Sequence, residues 1–185
     1  MNIYFCGMIG SGKTTLGRAV ARRLGLPSLD LDEEMDTALG YSFHRLVEES
    51  GWLAFRELEY SICKRFSRQT DSVMCLGGGT VRYEWNLDVL RGTGLLILLE
   101  VSEAELARRV RAADRPRVNP GTTIEEDISL IWSREGNKYR EAADVVYRAE
   151  GKSIEEEVED LLALIRDHRG AGPGGRERNG REARS

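Results

Sequence analysis

Apolar residues along the chain recur with two periods. Asn2-Ile3-Tyr4-Phe5-Cys6, Ser72-Val73-Met74-Cys75-Leu76 and the core of Gly94–Val101 (Leu95-Leu96-Ile97-Leu98-Leu99) are nearly continuous apolar runs. Strands buried on both faces of a parallel sheet read this way. Elsewhere apolar residues return every three or four positions: Leu16, Val20, Leu24; then Phe43, Leu46, Val47; then Trp52, Phe55, Leu58, Ile62; finally Ile154, Val158, Leu161, Leu162, Ile165. That spacing predicts amphipathic helices. Gly25, with Pro27 just beyond, closes the first of them. Residues 33–66 are expected as helix in at least two pieces, broken around Gly40 and Gly51. Ser28-Leu29-Asp30-Leu31-Asp32 and Ala143–Tyr147 read as short strands. Tyr83–Arg91, Glu103–Arg111 and Ile124 to about Arg134 read as helices. Ser153 and Glu156 form a capping box at the start of the last helix. Strand and helix thus alternate through five strands, which predicts an α/β fold: a parallel sheet with helices on both faces. Periodicity leaves the strand order open.

Two stretches lack any period. Residues 112–123 contain two prolines and a glycine, and a loop of that length in a compact domain usually serves function. Residues 169–185 hold no large apolar side chain and are expected to be a disordered tail, leaving one domain over 1–168. The full length of 185 residues suits a single core of useful size. A net charge of −4 gives no reason to expect nucleic-acid binding. No apolar run reaches the ~18 residues of a membrane span. The N-terminal run lacks a basic flank and a cleavage site, so it reads as a strand rather than a signal peptide. Cys6, Cys63 and Cys75 are odd in number without C-x-x-C spacing, which fits reduced, buried thiols in a cytoplasmic protein. His44 and His168 lie too far apart in sequence to suggest a metal cluster.

The first strand runs into Gly7-Met8-Ile9-Gly10-Ser11-Gly12-Lys13-Thr14, which satisfies every fixed position of the phosphate loop. Glycines let the backbone curl around an anion, successive N–H groups form a nest, and the following helix adds its positive end. Lys13 is expected to reach the β- and γ-phosphates, and the Thr14 hydroxyl to ligate Mg²⁺. The loop is silent about what receives the phosphate. Asp30 and Asp32, at i and i+2 of an expected strand, would share a face. Asp30, at that strand's carboxyl end, is placed to hold Mg²⁺ directly or through water. The competing reading makes the pair helix-capping acids ahead of Glu33 and Glu34. Arg56, flanked by Glu57 and Glu59, would by itself pass for a solvated charge in a surface ion pair of little worth. Three glycines at a strand end, Gly77, Gly78 and Gly79, point to close backbone approach, since each adds entropy lost on folding.

Taken together, G-M-I-G-S-G-K-T-T-L-G-R at 7–18, D-L-D at 30–32, A-F-R-E-L-E at 54–59, L-G-G-G-T at 76–80, R-P at 115–116 and Y-R-E-A-A-D at 139–144 resemble the shikimate kinase family over about residues 1–165. The resemblance implies the P-loop NTP kinase fold, in its nucleoside monophosphate kinase-like architecture. It also implies ATP-dependent phosphorylation of the 3-hydroxyl of shikimate, giving shikimate 3-phosphate and ADP in aromatic amino-acid biosynthesis. ATP would meet Gly10, Ser11, Gly12, Lys13, Thr14, Thr15, Arg109 and Arg115, with Mg²⁺ on Thr14 and Asp30. Shikimate would meet Asp32, which takes the proton of the attacking hydroxyl, together with Arg56, Gly77, Gly78 and Gly79. Residues 31–62 would form the acceptor-binding region and 110–124 a lid. Arg115 would close over the γ-phosphate. Arg109 or Arg108 would stack on adenine; the spacing leaves both open. A monomer acting on small molecules, without nucleic-acid or membrane partner, is implied.

Two departures from the family pattern stand out. The family's second carboxylate-binding arginine lies four residues before the motif tyrosine, where this chain has Glu135, with Arg134 one position further from Tyr139. Arg134 is the expected substitute if one residue is inserted; otherwise that contact is lost or altered. Arg117 also follows Arg115-Pro116 where the family commonly has leucine. A GTP-binding switch fits poorly, because Asn137-Lys138-Tyr139-Arg140 lacks the aspartate of N-K-x-D. A gluconate-type or nucleoside monophosphate kinase is the nearer rival. A binding-only relative would not keep Lys13, Thr14, Asp30, Asp32 and Arg115 together.

Overall fold

A computed structural model describes residues 1–112, 119 and 121–170. Its five strands, β1 (Asn2–Cys6), β2 (Ser28–Asp30), β3 (Val73–Cys75), β4 (Gly94–Glu100) and β5 (Val145–Arg148), pair in parallel in the order β2-β3-β1-β4-β5. Every residue of β1 and β3 is buried, as are the five central residues of β4, so these strands appear in the sequence as unbroken apolar runs. The helices are α1 (Lys13–Leu24), α2 (Leu31–Leu39), α3 (Phe43–Ser67), α4 (Glu84–Leu90), α5 (Glu103–Ala112), α6 (Ile124–Ala142) and α7 (Ile154–Gly170), with a 3-10 turn at Thr80–Arg82.

The strand order locates the ligand crevice. The chain leaves β1 toward β2 on one side and leaves β3 toward β4 on the other. Right-handed crossovers then place the connecting helices on opposite faces. α1 packs over β3 and against α7, whereas α6 contacts β4. The segments after β1 and β3 therefore emerge side by side at the carboxyl edge, where open α/β sheets bind ligands. Leu76 N–H still donates to Phe5 O (2.9 Å), holding those two exits together.

Several expected boundaries move. Asp32 is not on a strand beside Asp30: β2 ends at Asp30, and Asp32 lies in the first turn of α2. Asp30 is the N-cap, accepting the Asp32 N–H at 3.1 Å, and Asp32, Glu33 and Glu34 supply the acidic first turn that a helix dipole favours. The break expected at Gly51 is a kink inside α3 (φ 80°, ψ 176°), not an end. α6 continues past Arg134 to Ala142, through Ser133, Gly136 and Asn137, because tertiary packing outweighs their weak propensity. Gly136 leaves room for Trp132 there: a Cβ would sit 3.2 Å from the indole. Ala143 then closes α6, and Asp144 accepts the Leu96 N–H at 2.9 Å, so β5 starts only at Val145. At the other end of the chain α7 extends through Arg169 to Gly170; residues 171–185 of the expected tail lie outside the described residues. Cys6, Cys63 and Cys75 are free and buried, as expected. No helix among the described residues is long and apolar enough to cross a membrane.

Candidate active site

The loop after β1 forms one wall of the crevice. Gly7, Gly10 and Gly12 adopt φ of 144°, 80° and 93°, which L side chains rarely reach. Gly12 also caps α1 without a side-chain bond, so the first N–H groups of that helix remain available to an anion. Ser11 Oγ is buried with no hydrogen-bond partner among the described residues. Lys13 Nζ donates to the carbonyls of Gly7 (3.0 Å) and Met8 (2.9 Å), which holds the ammonium across the loop. Burial lowers the pKa of that ammonium, and Asp32 is the foremost charge opposing the shift. Thr14 Oγ1 donates to Asp30 Oδ2 at 2.7 Å. Thr15 lies in the same first turn and is exposed.

The segment after β3 forms the second wall, and its three glycines differ in how closely they are packed. A Cβ on Gly77 would lie 3.0 Å from Thr80 Oγ1, 3.4 Å from Asp32 Oδ1 and 3.6 Å from Glu59 Oε1. One on Gly78 would meet Ile9 N of the phosphate loop at an ordinary contact distance of 3.4 Å, and one on Gly79 would displace the end of the Arg82 side chain. None of the three has a positive φ, and Gly77 is the one with a tight approach to a fixed side chain. Asp32 thus stands between the two walls: it faces Gly77 and acts electrostatically on Lys13.

Arg56 is not the solvated charge that its sequence neighbours suggest. Its side chain is 15% exposed, and Nη1 donates at 2.8 Å to Glu59, which is 1% exposed. The Arg56 guanidinium lies over the rings of Tyr83 (4.4 Å), Phe55 (4.7 Å) and Trp52 (5.6 Å). Glu59 also accepts from Thr80 Oγ1 (2.9 Å) and Asn86 Nδ2 (3.1 Å). One buried carboxylate therefore ties α3 to the 3-10 turn and α4. Sequence reasoning passed over Glu59 as a flanking acid, although it lies on the same helical face as Phe55 and Ile62. From α6, the buried Tyr139 donates its hydroxyl to Gly78 O, and burial pushes its pKa up to about 12.

Arginines complete the surroundings. Arg109, from α5, reaches Ser11 O (3.5 Å) and Ala149 O (3.2 Å), and Glu105 accepts its Nε at 2.7 Å. Arg108 is solvent-exposed and bonded to Glu105 through both Nε and Nη2, so of the two it is Arg109 that adjoins the phosphate loop. Arg108 and Arg109 together hold the Glu105 carboxyl down to about 2. Arg115, with Pro116 and Arg117, lies outside the described residues. Asn119 donates its backbone N–H (2.9 Å) and Nδ2 (2.6 Å) to Asp127. Arg134 is exposed on α6, and the structure does not bring it to the other site residues; Glu135 and Tyr139 are the positions turned inward. Arg82 reaches the Gly79 side instead, from the 3-10 turn.

Comparison with known proteins matches residues 9–166 to the family model described as "Shikimate kinase". The shikimate kinase of Chlorobaculum parvum is 33% identical over 174 residues, covering 90% of this chain and 92% of that protein. That of Geobacter sulfurreducens is 34% identical over 168 residues, covering 90% and 92%. Among solved structures, shikimate kinase from Acinetobacter baumannii in complex with shikimate superposes with a TM-score of 0.83 at 26% identity, covering 90% of this chain and 93% of that one. Shikimate kinase from Aquifex aeolicus gives 0.78 at 27% identity, covering 93% and 100%.

Proposed function

The chain belongs to the shikimate kinase family, and from that premise we propose that the two walls of its crevice carry ATP and shikimate so that the γ-phosphoryl group passes to the 3-hydroxyl. The enzyme is an ATP-dependent phosphotransferase acting on shikimate. The observation that carries the residue assignment is the position of Asp32. Its carboxylate faces the Gly77 wall and exerts the foremost opposing charge on Lys13, which supports a role between donor and acceptor.

The roles follow from that placement. Backbone N–H groups from Gly10 to Thr15 cradle the β- and γ-phosphates, and Lys13 follows the charge as it moves. The donor set at Thr14 and Asp30, two oxygens 2.7 Å apart beside the loop, fits a hard cation that completes its shell with water and phosphate. Mg²⁺ bound there would neutralise the phosphate oxygens. Asp32 accepts the proton of the attacking hydroxyl. Arg56, its stem fixed by three rings and its charge fixed by Glu59, offers the remaining guanidinium edge to the substrate carboxylate. Arg109 supports the nucleotide side, and Arg115 supplies positive charge from the lid during transfer. Catalysis then rests on positioning and charge stabilisation. All these residues come from one chain, so a monomer suffices, and three unpaired thiols suit a reducing cytoplasm.

An ADP-release assay with shikimate, quinate, gluconate and nucleoside monophosphates tests the assignment. Turnover on shikimate is expected; turnover on another acceptor with none on shikimate would overturn it.

A further inference from the structure

Two guanidinium groups bracket the glycine wall, and among the described residues only one of them has an ion-pair partner. Arg56 approaches from α3 and is answered by Glu59 at 2.8 Å. Arg82 approaches from the 3-10 turn, folds back over Gly79 and donates from Nε to Gly79 O at 3.4 Å. A Cβ on Gly79 would lie 3.1 Å from the Arg82 Cζ, so the guanidinium lies along the wall itself. Arg82 forms no ion pair with any described residue.

The two arginines belong to one environment. The Arg56 Cζ lies 4.4 Å from the ring of Tyr83, the residue after Arg82. Both charges act on the buried Tyr139 hydroxyl, which is bonded to Gly78 O. The helix α6, which packs against the 3-10 turn, adds no cation there. Its inward positions in this stretch are Glu135, Gly136 and Tyr139; Glu135 is paired with Lys138 at 2.8 Å, and Arg134 is exposed. Glu59 balances Arg56 and the Asp32 carboxylate at the Gly77 end acts on Lys13, so at the Gly79 end Arg82 is a cation with no ion-pair partner among the described residues. A half-buried cation without a counter-ion beside a ligand crevice is matched by an anionic group of the ligand.

We infer that Arg82 is a substrate-binding residue: with Arg56 it forms a two-armed clamp for the carboxylate of shikimate, entering from the Gly79 side instead of from α6. Planar guanidinium groups suit this geometry, and two of them can divide the carboxylate oxygens. The inference rests on the shikimate kinase reading and names a residue for its acceptor side.

The test compares shikimate with its neutral carboxamide as acceptor, for the wild-type enzyme, Arg82→Ala, Arg82→Gln and Arg82→Lys. Loss of one charge-assisted bond should raise the KM for shikimate by ~10- to 100-fold. The KM for ATP should stay unchanged, and kcat/KM for the carboxamide should move by less than about threefold on the same reasoning. Arg82→Lys, which keeps a point charge, should recover part of the loss. Equal losses on both acceptors, or an unchanged KM for shikimate, would overturn the clamp. Should Arg82→Ala fail to fold, Arg82→Gln carries the comparison, since it keeps much of the stem and removes only charge. Wild-type enzyme inactive on shikimate would sink the underlying reading; active wild type with an insensitive Arg82→Gln would sink only the clamp.

Discussion

Lys13 spans the phosphate loop by bonding two of its carbonyls, which holds its ammonium across the loop. Lys13→Met keeps the apolar stem and removes the charge. Turnover should fall by about three orders of magnitude or more, as for other groups that stabilise charge in transfer, while the unfolding midpoint stays close to wild type. Steady-state kinetics and a melting curve check both halves; activity near wild type would remove Lys13 from the chemistry. Glu59 has a different kind of role. It is a buried carboxylate with three donors, and Glu59→Ala leaves Arg56 without its charge partner. A loss of about 3–5 kcal/mol in unfolding free energy is expected, because breaking a buried pair strands the other charge. Denaturant titration measures this, and a loss under about 1 kcal/mol would mean that the pair is not a structural anchor. The phosphate loop was legible because all its fixed positions lie within eight consecutive residues. Glu59 was not, because its partners Thr80 and Asn86 lie 21 and 27 positions away. The i, i+4, i+7 face shared with Phe55 and Ile62 was the signal available.

At the scale of elements, α1 is set down on the sheet through a glycine. A Cβ on Gly17 would overlap Cys75 Sγ and stand 3.3 Å from the Phe5 ring. Cys75 Sγ is also engaged with Lys13 O at 3.2 Å, so it has little freedom to yield. Gly17→Ala should therefore destabilise by about 1–3 kcal/mol through overpacking, despite the better helix propensity of alanine. An increase in Tm would refute the close packing of α1 on β3. The N-terminus of α6 is fixed by a reciprocal cap, Thr123 Oγ1 accepting from Glu126 N (3.2 Å) and Glu126 from Thr123 N (2.8 Å). Thr123→Ala should cost about 1 kcal/mol, read as a lower denaturant midpoint. Helix periods found most of these elements, but not the ends of α2 and α6. The D-L-D stretch carries equally good strand and helix-cap patterns, and the choice fell to Asp30 capping Asp32 N–H once β2 had paired with β3. α6 runs through Gly136 because Trp132 packs where a side chain would be, a contact that local sequence does not announce.

For the whole molecule, the buried sulfurs set an alkaline limit. Burial pushes the Cys6 and Cys75 thiols up to about 12 from 9, and raises Cys63 and Tyr139 as well. The folded state thus holds these protons more tightly than the unfolded chain. The contribution of these thiols and of Tyr139 should be steady below pH 9 and fall as pH rises from about 9 toward 12, with Lys13 alone among these groups acting in the opposite sense. Urea midpoints recorded across that range check the slope, and a midpoint that climbs with pH would contradict it. For the same reason the native protein should resist thiol alkylation near neutral pH, whereas the unfolded chain should take up three equivalents. By itself the sequence determined the alternation of buried strands and amphipathic helices, hence the α/β class, and the phosphate loop with its lysine and threonine. Both are local: period and spacing act within one element. The tertiary structure alone decided the strand order β2-β3-β1-β4-β5, which brings the exits of β1 and β3 together. It alone decided that Glu59 anchors Arg56, that Arg134 faces solvent and that Arg82 lies along Gly79. Those outcomes depend on contacts between residues far apart in the chain, which exist only once the sheet has closed.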